Sequence, residues 1–389
     1  MKTKILFTIV LISFLSSTNN IQAERINKNP SLGLEQERTK SFNVNKGGKL
    51  VVNVNPGEIK INTWDKNEVV IKVRGLEEDE LDNVKMSQSG NTVTVRYKPE
   101  WGWGNDAEFI VSVPSQFSLE AKTSGGDISI NSDVTGEVDL NTMGGEITTR
   151  NIKGNTKLNT QGGDIRLNNI DGNLNVNTMG GDIRIGDIKG DNTRLNTMGG
   201  DIRVGVAKSE LKATTFGGNI EINGIGGNAD VNTMGGNIQV QNVEGNIKLD
   251  TKGGNVRARN VKGSVSAVTF AGQIDLTNIT GSVDAKTMSG GITIEINPAQ
   301  NTMSRITTQN GEIEIILPSS AKAEIEAEIR SWGNWGNVRD GYTIKSDFKA
   351  NDSSDSENNK RVKKLYIING GGGKIEAKAT NGDISIRKK

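Results

Sequence analysis

The chain has 389 residues, with 47 basic and 46 acidic side chains, 48 glycines, 6 prolines and neither cysteine nor histidine. Those absences exclude disulfides, thiol nucleophiles, Ser-His relays, His-ligated metals and the cysteine anchor of an exported lipoprotein. A formal net charge of +1 without a basic block makes nucleic acid a poor partner, and 4% aromatics is sparse for a packed globular enzyme but suits a repetitive β architecture that buries small β-branched residues.

The first segment, "MKTKILFTIVLISFLSSTNNIQA", reads as a secretory signal over residues 1–23. Lys2 and Lys4 form the basic start, and Ile5 to Leu15 carries no charge but is shorter than the ~20 apolar residues of a membrane span. Cleavage is expected after Ala23, with Ile21 a bulky residue at the −3 position. Export follows, to the periplasm, the cell surface or the outside, and no later stretch is apolar enough to span a bilayer after cleavage. Loss of Lys2 and Lys4 leaves the charge near neutral.

Residues 24–45 read as a flexible N-terminal arm. Residues 46–120 read as an N-terminal β capping region continuous with a solenoid: "KLVVNVNPGEIKINTWDKNEVVIKV" alternates apolar and polar residues with a break at Pro56-Gly57, and "AEFIVSVPSQFSLEAKTSGGDISI" leads into a repeat.

The repeat occupies residues 121–316. Glycine pairs begin at Gly125, Gly144, Gly162, Gly180, Gly199, Gly217, Gly235 and Gly253, spaced 18 or 19 residues apart, with degenerate copies at Ala271-Gly272, Ser289-Gly290 and Asn310-Gly311. A fixed period of this size predicts a solenoid. In "DIRLNNIDGNLNVNTMGG" the inward residues are Ile165, Leu167, Ile170, Leu174, Val176 and Thr178. Their period-two runs break near Asn168, near Gly172 and at the glycine pair, so each coil has three corners. The expected fold is all-β: a right-handed parallel β-solenoid of about 18 residues per coil, roughly triangular in section, with irregular capping coils at both ends. In the two 19-residue coils the extra residue is expected near Asp133 and near Asn192, outside the strands, because an insertion within a strand would turn its core residues outward. Residues 317–389 read as further C-terminal β coils, with a mobile polar loop near 350–360, "ANDSSDSENNK".

The Gly-Gly-Asp phrase is not a phosphate loop, because a strand follows it where a helix and a lysine would be needed. It also lacks the third glycine and spaced aspartate of a calcium β-roll. The residue after each pair forms a column, Asp127, Glu146, Asp164, Asp182, Asp201, Asn219, Asn237 and Asn255, with Arg166, Arg184, Arg203 and Arg257 beside it. We read this as a solvated charge ladder in which arginine offsets the repulsion of stacked carboxylates. Acidic columns could serve glycoside cleavage, but corners this short enclose no sugar, so no catalytic residue, cofactor or metal is assigned.

The residue before each pair faces outward by parity. Met143, Met179, Met198, Phe216, Met234, Phe270 and Met288 form a candidate contact stripe, interrupted by Gln161 and Lys252. The alternative is that these side chains only cover the bare glycine backbone. Two loops, "WGWGN" with Trp101 and Trp103 and "WGNWGN" with Trp332 and Trp335, are candidates for glycan stacking or end-to-end contact, or else end caps.

"GGKLVVNVNPGEIKINTWDKNEVVIKV", the recurrent T-x-G-G-[DEN]-I corners and the closing "INGGGGKIEAKATNGDISIRKK" resemble the bacterial β-strand-repeat family known for candidate adhesins and catalogued as a domain of unknown function. The likeness runs over about residues 45–389; the two Trp-Gly loops depart from it. The resemblance implies export, no enzymatic activity and attachment at a surface. The expected function is adhesin-like binding to a surface, glycan or envelope protein. The alternatives are a periplasmic or envelope scaffold that self-associates and, third, a polysaccharide-active β-helix enzyme.

Overall fold

The computed structural model describes residues 25–26, 37–99, 107–330, 341–355 and 361–389. The proposed signal, residues 1–23, lies outside them, and no described helix is long and apolar enough to cross a membrane.

One coil shows how the sequence builds the fold. Ile165–Leu167, Ile170–Asp171 and Leu174–Asn177 are strands on three successive faces, followed by the corner Thr178-Met179-Gly180-Gly181. Each strand pairs in parallel with its equivalent one coil away: Ile147 lies beside Ile165 and Ile165 beside Ile183, Ile152 beside Ile170, and Leu158 beside Val176. Alternate side chains point inward, so Ile165, Leu167, Ile170, Leu174 and Val176 are all buried. The solenoid reading therefore holds. The extra residues fall between Ile130 and Val134 and between Gly190 and Thr193, at corners, and the core register survives them.

From Ile202 onward the first two faces run as one strand, as in Ile202–Ala207, Ile238–Val243 and Val256–Val261. The bend between them falls on Asn242, Asn260 and Asn278, with φ of 53°, 56° and 58°. Asparagine tolerates this left-handed backbone, and stacked amides hold it, Asn260 Nδ2 donating to Asn242 Oδ1 at 2.9 Å.

The glycine corner is set by close approach between coils. A Cβ on Gly236 would lie 1.9 Å from the carbonyl oxygen of Gly218, whereas a Cβ on Gly235 would meet nothing nearer than 3.5 Å. The second glycine of each pair is thus sterically obligatory and the first is not. The inward threonine completes the corner. Thr233 is buried; its Oγ1 donates to Gly218 O at 2.9 Å and accepts from Gly236 N at 3.2 Å. The same double bond recurs at Thr142, Thr160, Thr178, Thr197, Thr215 and Thr251. A valine would fill the space but leave two buried backbone groups unpaired.

The flanks differ from a simple continuation in chain order. At the N-terminal end Gly48–Val54 lies between Thr92–Tyr97 and Phe117–Lys122, and Glu58–Trp64 lies between Glu108–Pro114 and Ile128–Ile130. At the C-terminal end Gly373–Thr380 lies between Met303–Asn310 and Ala323–Arg330, and Ile384–Lys388 between Ile313–Leu317 and Ile344–Ser346. At each end the chain overshoots, builds an outer coil, and has one coil tucked beneath it. Antiparallel strands then cover the outer coils: Glu68–Arg74 on Glu108–Pro114, Lys85–Ser89 on Thr92–Tyr97, and Arg361–Ile368 on Ala323–Arg330. A parallel stack otherwise ends in an open edge that templates further pairing.

Two segments expected to lack structure carry strands. Within the N-terminal arm, Arg38–Asn43 pairs antiparallel with Glu68–Arg74 and buries Phe42. Within the polar loop near 350–360, Asp352–Asp355 pairs with Arg361–Ile368, while residues 356–360 lie outside the described set.

Gly236→Ala is expected to lower stability by about 1–3 kcal/mol or more through overpacking, and Gly235→Ala by far less. Thr233→Val should cost about 1–3 kcal/mol for its unpaired groups, with Thr233→Ser closer to wild type. Thermal melts followed by far-UV circular dichroism check both pairs.

Candidate functional site

In-register stacking turns every outward position into a column. The acidic column of the corner is built into the backbone. Asp164 Oδ1 accepts the backbone N–H of Asp182 at 2.8 Å, and Asp182 Oδ1 that of Asp201 at 2.8 Å. Asn219 and Asn237 do the same for Asn237 and Asn255, at 2.9 and 2.8 Å, and Asn237 Nδ2 reaches Asn219 Oδ1 at 3.1 Å. Aspartate and asparagine alternate freely here because both offer a short side-chain oxygen to the next coil. Arginines take the other carboxylate oxygen: Arg166 with Asp164 at 2.7 Å, Arg184 with Asp182 at 2.7 Å and Arg203 with Asp201 at 2.8 Å. Arg166 also pairs with Glu146, and this hydrogen bond holds the Glu146 carboxyl below its ordinary range. Arg257 pairs forward, with Asp275 at 3.2 Å.

Sequence reasoning missed that the other two corners are stitched the same way. Asn169 N donates to Asn151 Oδ1 and Asp187 N to Asn169 Oδ1 at one; Asn173 N donates to Asn155 Oδ1 and Asn192 N to Asn173 Oδ1 at the other. The signal was available as Asn or Asp recurring every 18 or 19 residues outside the glycine corner. A further amide ladder beside the glycine corner links Asn141, Asn159, Asn177 and Asn196 at 2.8–3.0 Å.

The stripe preceding the glycine pairs projects into solvent as a ridge. Met143, Met179, Met198, Phe216 and Phe270 are 49–59% exposed, while Met234 and Met288 are half-buried. Backbone bonds tie successive members together, with Met198 N donating to Met179 O at 3.2 Å and Phe216 N to Met198 O at 3.2 Å. The ridge therefore keeps one member per coil. Trp101, Trp103, Trp332 and Trp335 lie outside the described residues.

A second surface feature was not anticipated. At the neighbouring corner a shallow trough of about 670 Å³ runs across five coils. Leu167, Ile185 and Val204, all buried, lie beneath it, Gly186 and Gly205 carry no side chain over it, and Arg166, Arg184 and Arg203 border it. Val206, 47% exposed, follows Gly205 directly. Single glycines recurring outside the paired positions were its sequence signal.

The C-terminal cap holds a buried charge. Glu328 accepts from Arg330 and Arg361, with Arg361 Nε 2.9 Å from its Oε1 and Arg361 Nη2 3.1 Å from its Oε2. Burial pushes its pKa up, but the two guanidiniums outweigh that and hold the carboxyl below its ordinary value.

The architecture defines a class, a parallel β-solenoid with hydrogen-bonded corner ladders. The Toastrack DUF4097 family, a domain of unknown function, matches residues 48–223, 169–270 and 227–387, and the chain belongs to it. Among solved structures the chain is similar to a candidate adhesin from Bacteroides fragilis NCTC 9343, at 16% identity over 58% of this chain and 97% of that one, with a TM-score of 0.34. It is also similar to a candidate cell adhesion protein from Clostridium sporogenes ATCC 15579, at 12% identity over 92% and 100%, TM-score 0.17. A third is a candidate lipid binding protein from Parabacteroides distasonis ATCC 8503, at 11% identity over 90% and 96%, TM-score 0.19. At such values those names do not transfer. No curated protein matches the chain.

Because the folded-state pKa of Glu328 is depressed, its contribution is present above the unfolded carboxylate value of about 4.5 and is lost as pH falls through the folded value. Glu328→Gln is expected to cost about 1–3 kcal/mol at neutral pH and progressively less on acidification. Melting temperatures of both proteins from neutral pH down to about pH 3 check the convergence.

Proposed function

We propose that the protein is an exported, non-enzymatic β-solenoid that presents a repetitive surface for adhesin-like binding to a surface, glycan or envelope protein. The observation that carries this reading is the ridge: a column with one side chain per coil, apolar in most coils and interrupted at Gln161 and Lys252, held outward in register by the strand pairing beneath it. Methionine fits adaptable contact, and a row of exposed apolar residues on an otherwise polar surface fits an interaction site. The acidic residues are occupied structurally. Asp164 and Asp182 spend one oxygen on a backbone N–H and the other on an arginine, which leaves neither poised as a general acid or nucleophile.

Replacing Met179, Met198 and Phe216 together by serine is expected to leave the melting temperature unchanged. Binding to immobilised envelope proteins and glycans should weaken by about tenfold or more, or roughly 1.4 kcal/mol. Surface plasmon resonance reads the change; undiminished binding by the triple variant would remove the reading. Protease treatment of intact cells gives the location: degradation without lysis is the expected result for a surface-displayed adhesin, and protection favours the periplasmic scaffold.

A further inference from the structure

The ladder at the glycine corner lapses near the C-terminal end of the regular coils. From Asp164 to Asn255 each short side-chain oxygen accepts the backbone N–H one coil on, ending with Gln273 N on Asn255 Oδ1 at 2.8 Å. The next places in the column are Gln273, Gly291 and Glu312. Glutamine is a methylene longer than asparagine and does not repeat the bond, and glycine has no side chain to make it. The backbone N–H groups of Gly291 and Glu312 therefore have no partner among the described residues. Packing does not ask for glycine at this place. A Cβ on Gly291 would meet only Glu312 O, at 3.6 Å, whereas a Cβ on Gly290 would lie 2.2 Å from Gly272 O. Beside the bare position a groove of about 530 Å³ runs along the rod across five coils, from Gln239 to Glu314. At about 4.8 Å per strand it is ~19 Å long. Within its wall Arg257 pairs with Asp275, and Glu314 pairs with Arg387. The side chains of Gln239, Gln273, Thr293 and Glu312 bond no other described residue.

We propose that this groove is a binding site for an extended, uncharged oligosaccharide. It is independent of the ridge and uses only groups that the wall of the solenoid leaves unused. The N–H groups of Gly291 and Glu312, one coil apart, donate to sugar oxygens together with the Gln273 amide and the Thr293 hydroxyl. The Glu312 carboxylate and the glutamine carbonyls accept from sugar hydroxyls. A polyol carries donors and acceptors at this density along its whole length. Over the stitched coils the same backbone donors are consumed by aspartate and asparagine. Asp275, Glu312 and Glu314 outnumber Arg257 in the lining, which disfavours an anionic chain. An extended peptide pairs along an open strand edge, and this groove crosses strands whose edges are already paired on both sides. The strand spacing is close to the length of one sugar ring in an extended glycan, so about four consecutive sugars meet equivalent positions on consecutive coils. Hydrogen bonds that compete with water make each site weak, and display of many copies on one surface raises the avidity.

Saturation-transfer NMR and titration calorimetry with cellotetraose, chitotetraose and mannotetraose test this, with tetragalacturonate and an uncharged Ser-Gly peptide as the charged and peptide counterparts. Gly291→Asn returns the column's usual side chain to the gap, and Gln273→Asn/Gly291→Asn supplies both missing acceptors. The wild type is expected to bind at least one neutral tetrasaccharide. Both variants are expected to melt at or above the wild-type temperature and to bind that sugar about tenfold more weakly or worse, ~1.4 kcal/mol. Should Gly291→Asn melt lower, Glu312→Lys, at an exposed side chain, tests the same groove and carries the same expected loss. A wild type that binds none of the neutral tetrasaccharides, or binds only tetragalacturonate or the peptide, overturns the proposal, as do well-folded variants that bind the sugar undiminished. The ridge is read separately, because Met179→Ser/Met198→Ser/Phe216→Ser lies on earlier coils. That triple variant should keep its tetrasaccharide binding, and Gly291→Asn should keep its binding to immobilised envelope proteins. Loss of tetrasaccharide binding in the triple variant would move the sugar to the ridge and overturn the groove, whereas failure of the ridge test alone leaves the groove standing.

Discussion

The structure depends on two backbones passing each other at the glycine corner. A side chain on the second glycine would lie about 2 Å from a carbonyl oxygen of the preceding coil, and this holds at Gly145, Gly163, Gly181, Gly200, Gly218, Gly236 and Gly254 alike. That proximity lets the corner threonine bridge two coils with one hydroxyl, bonding the carbonyl of one and the N–H of the next. Coils so tied cannot slip by a residue, because a slip would turn six core side chains outward and put a Cβ where only a hydrogen fits. Everything on the surface inherits this register.

Register explains why the polar columns look like sites without acting as one. A stacked aspartate has its nearest unpaired donor directly overhead, the backbone N–H of the next coil, and the corner geometry brings it within 2.8 Å. The carboxylates therefore belong to the wall of the solenoid. The same logic isolates the ridge. A bare glycine pair carries no side chain to lean on, so the methionine before it stays out in solvent, and repetition makes a row of what would elsewhere be a single exposed residue.

Much of this was legible in the sequence. The glycine spacing marked the coils, the period-two runs marked the core residues, and the places where the two long coils absorb their extra residue followed from the need to keep strands in phase. The outward parity of Met143 through Phe270 was legible for the same reason. The order of coils at the two ends was not. Gly382 packs on Gly311 as though it were the next corner, yet 55 residues of cap and crossover, from Pro318 to Gly372, are interposed. No local pattern reports such a pairing. The trough was hidden because it is made of absences, Gly186 and Gly205 above apolar residues already assigned to the core.

The ends and the sides of the rod follow different rules. Axial growth needs an open parallel edge. At one end Arg38–Asn43 and Lys85–Ser89 close the stack with antiparallel strands, and at the other Arg361–Ile368 and Asp352–Asp355 do so on one face, while the short parallel strand Ile344–Ser346 ends the neighbouring face. Tucking Gly48–Val54 and Gly373–Thr380 one layer inside makes opening either end cost the pairing on both sides of the tucked coil. No comparable cover lies over the ridge among the described residues, although burying Met179, Met198 and Phe216 would each contribute on the order of 1–2 kcal/mol. A chain that covers much of its ends with antiparallel strands while leaving apolar residues in a row along its flank leaves the flank more open to contact than the ends.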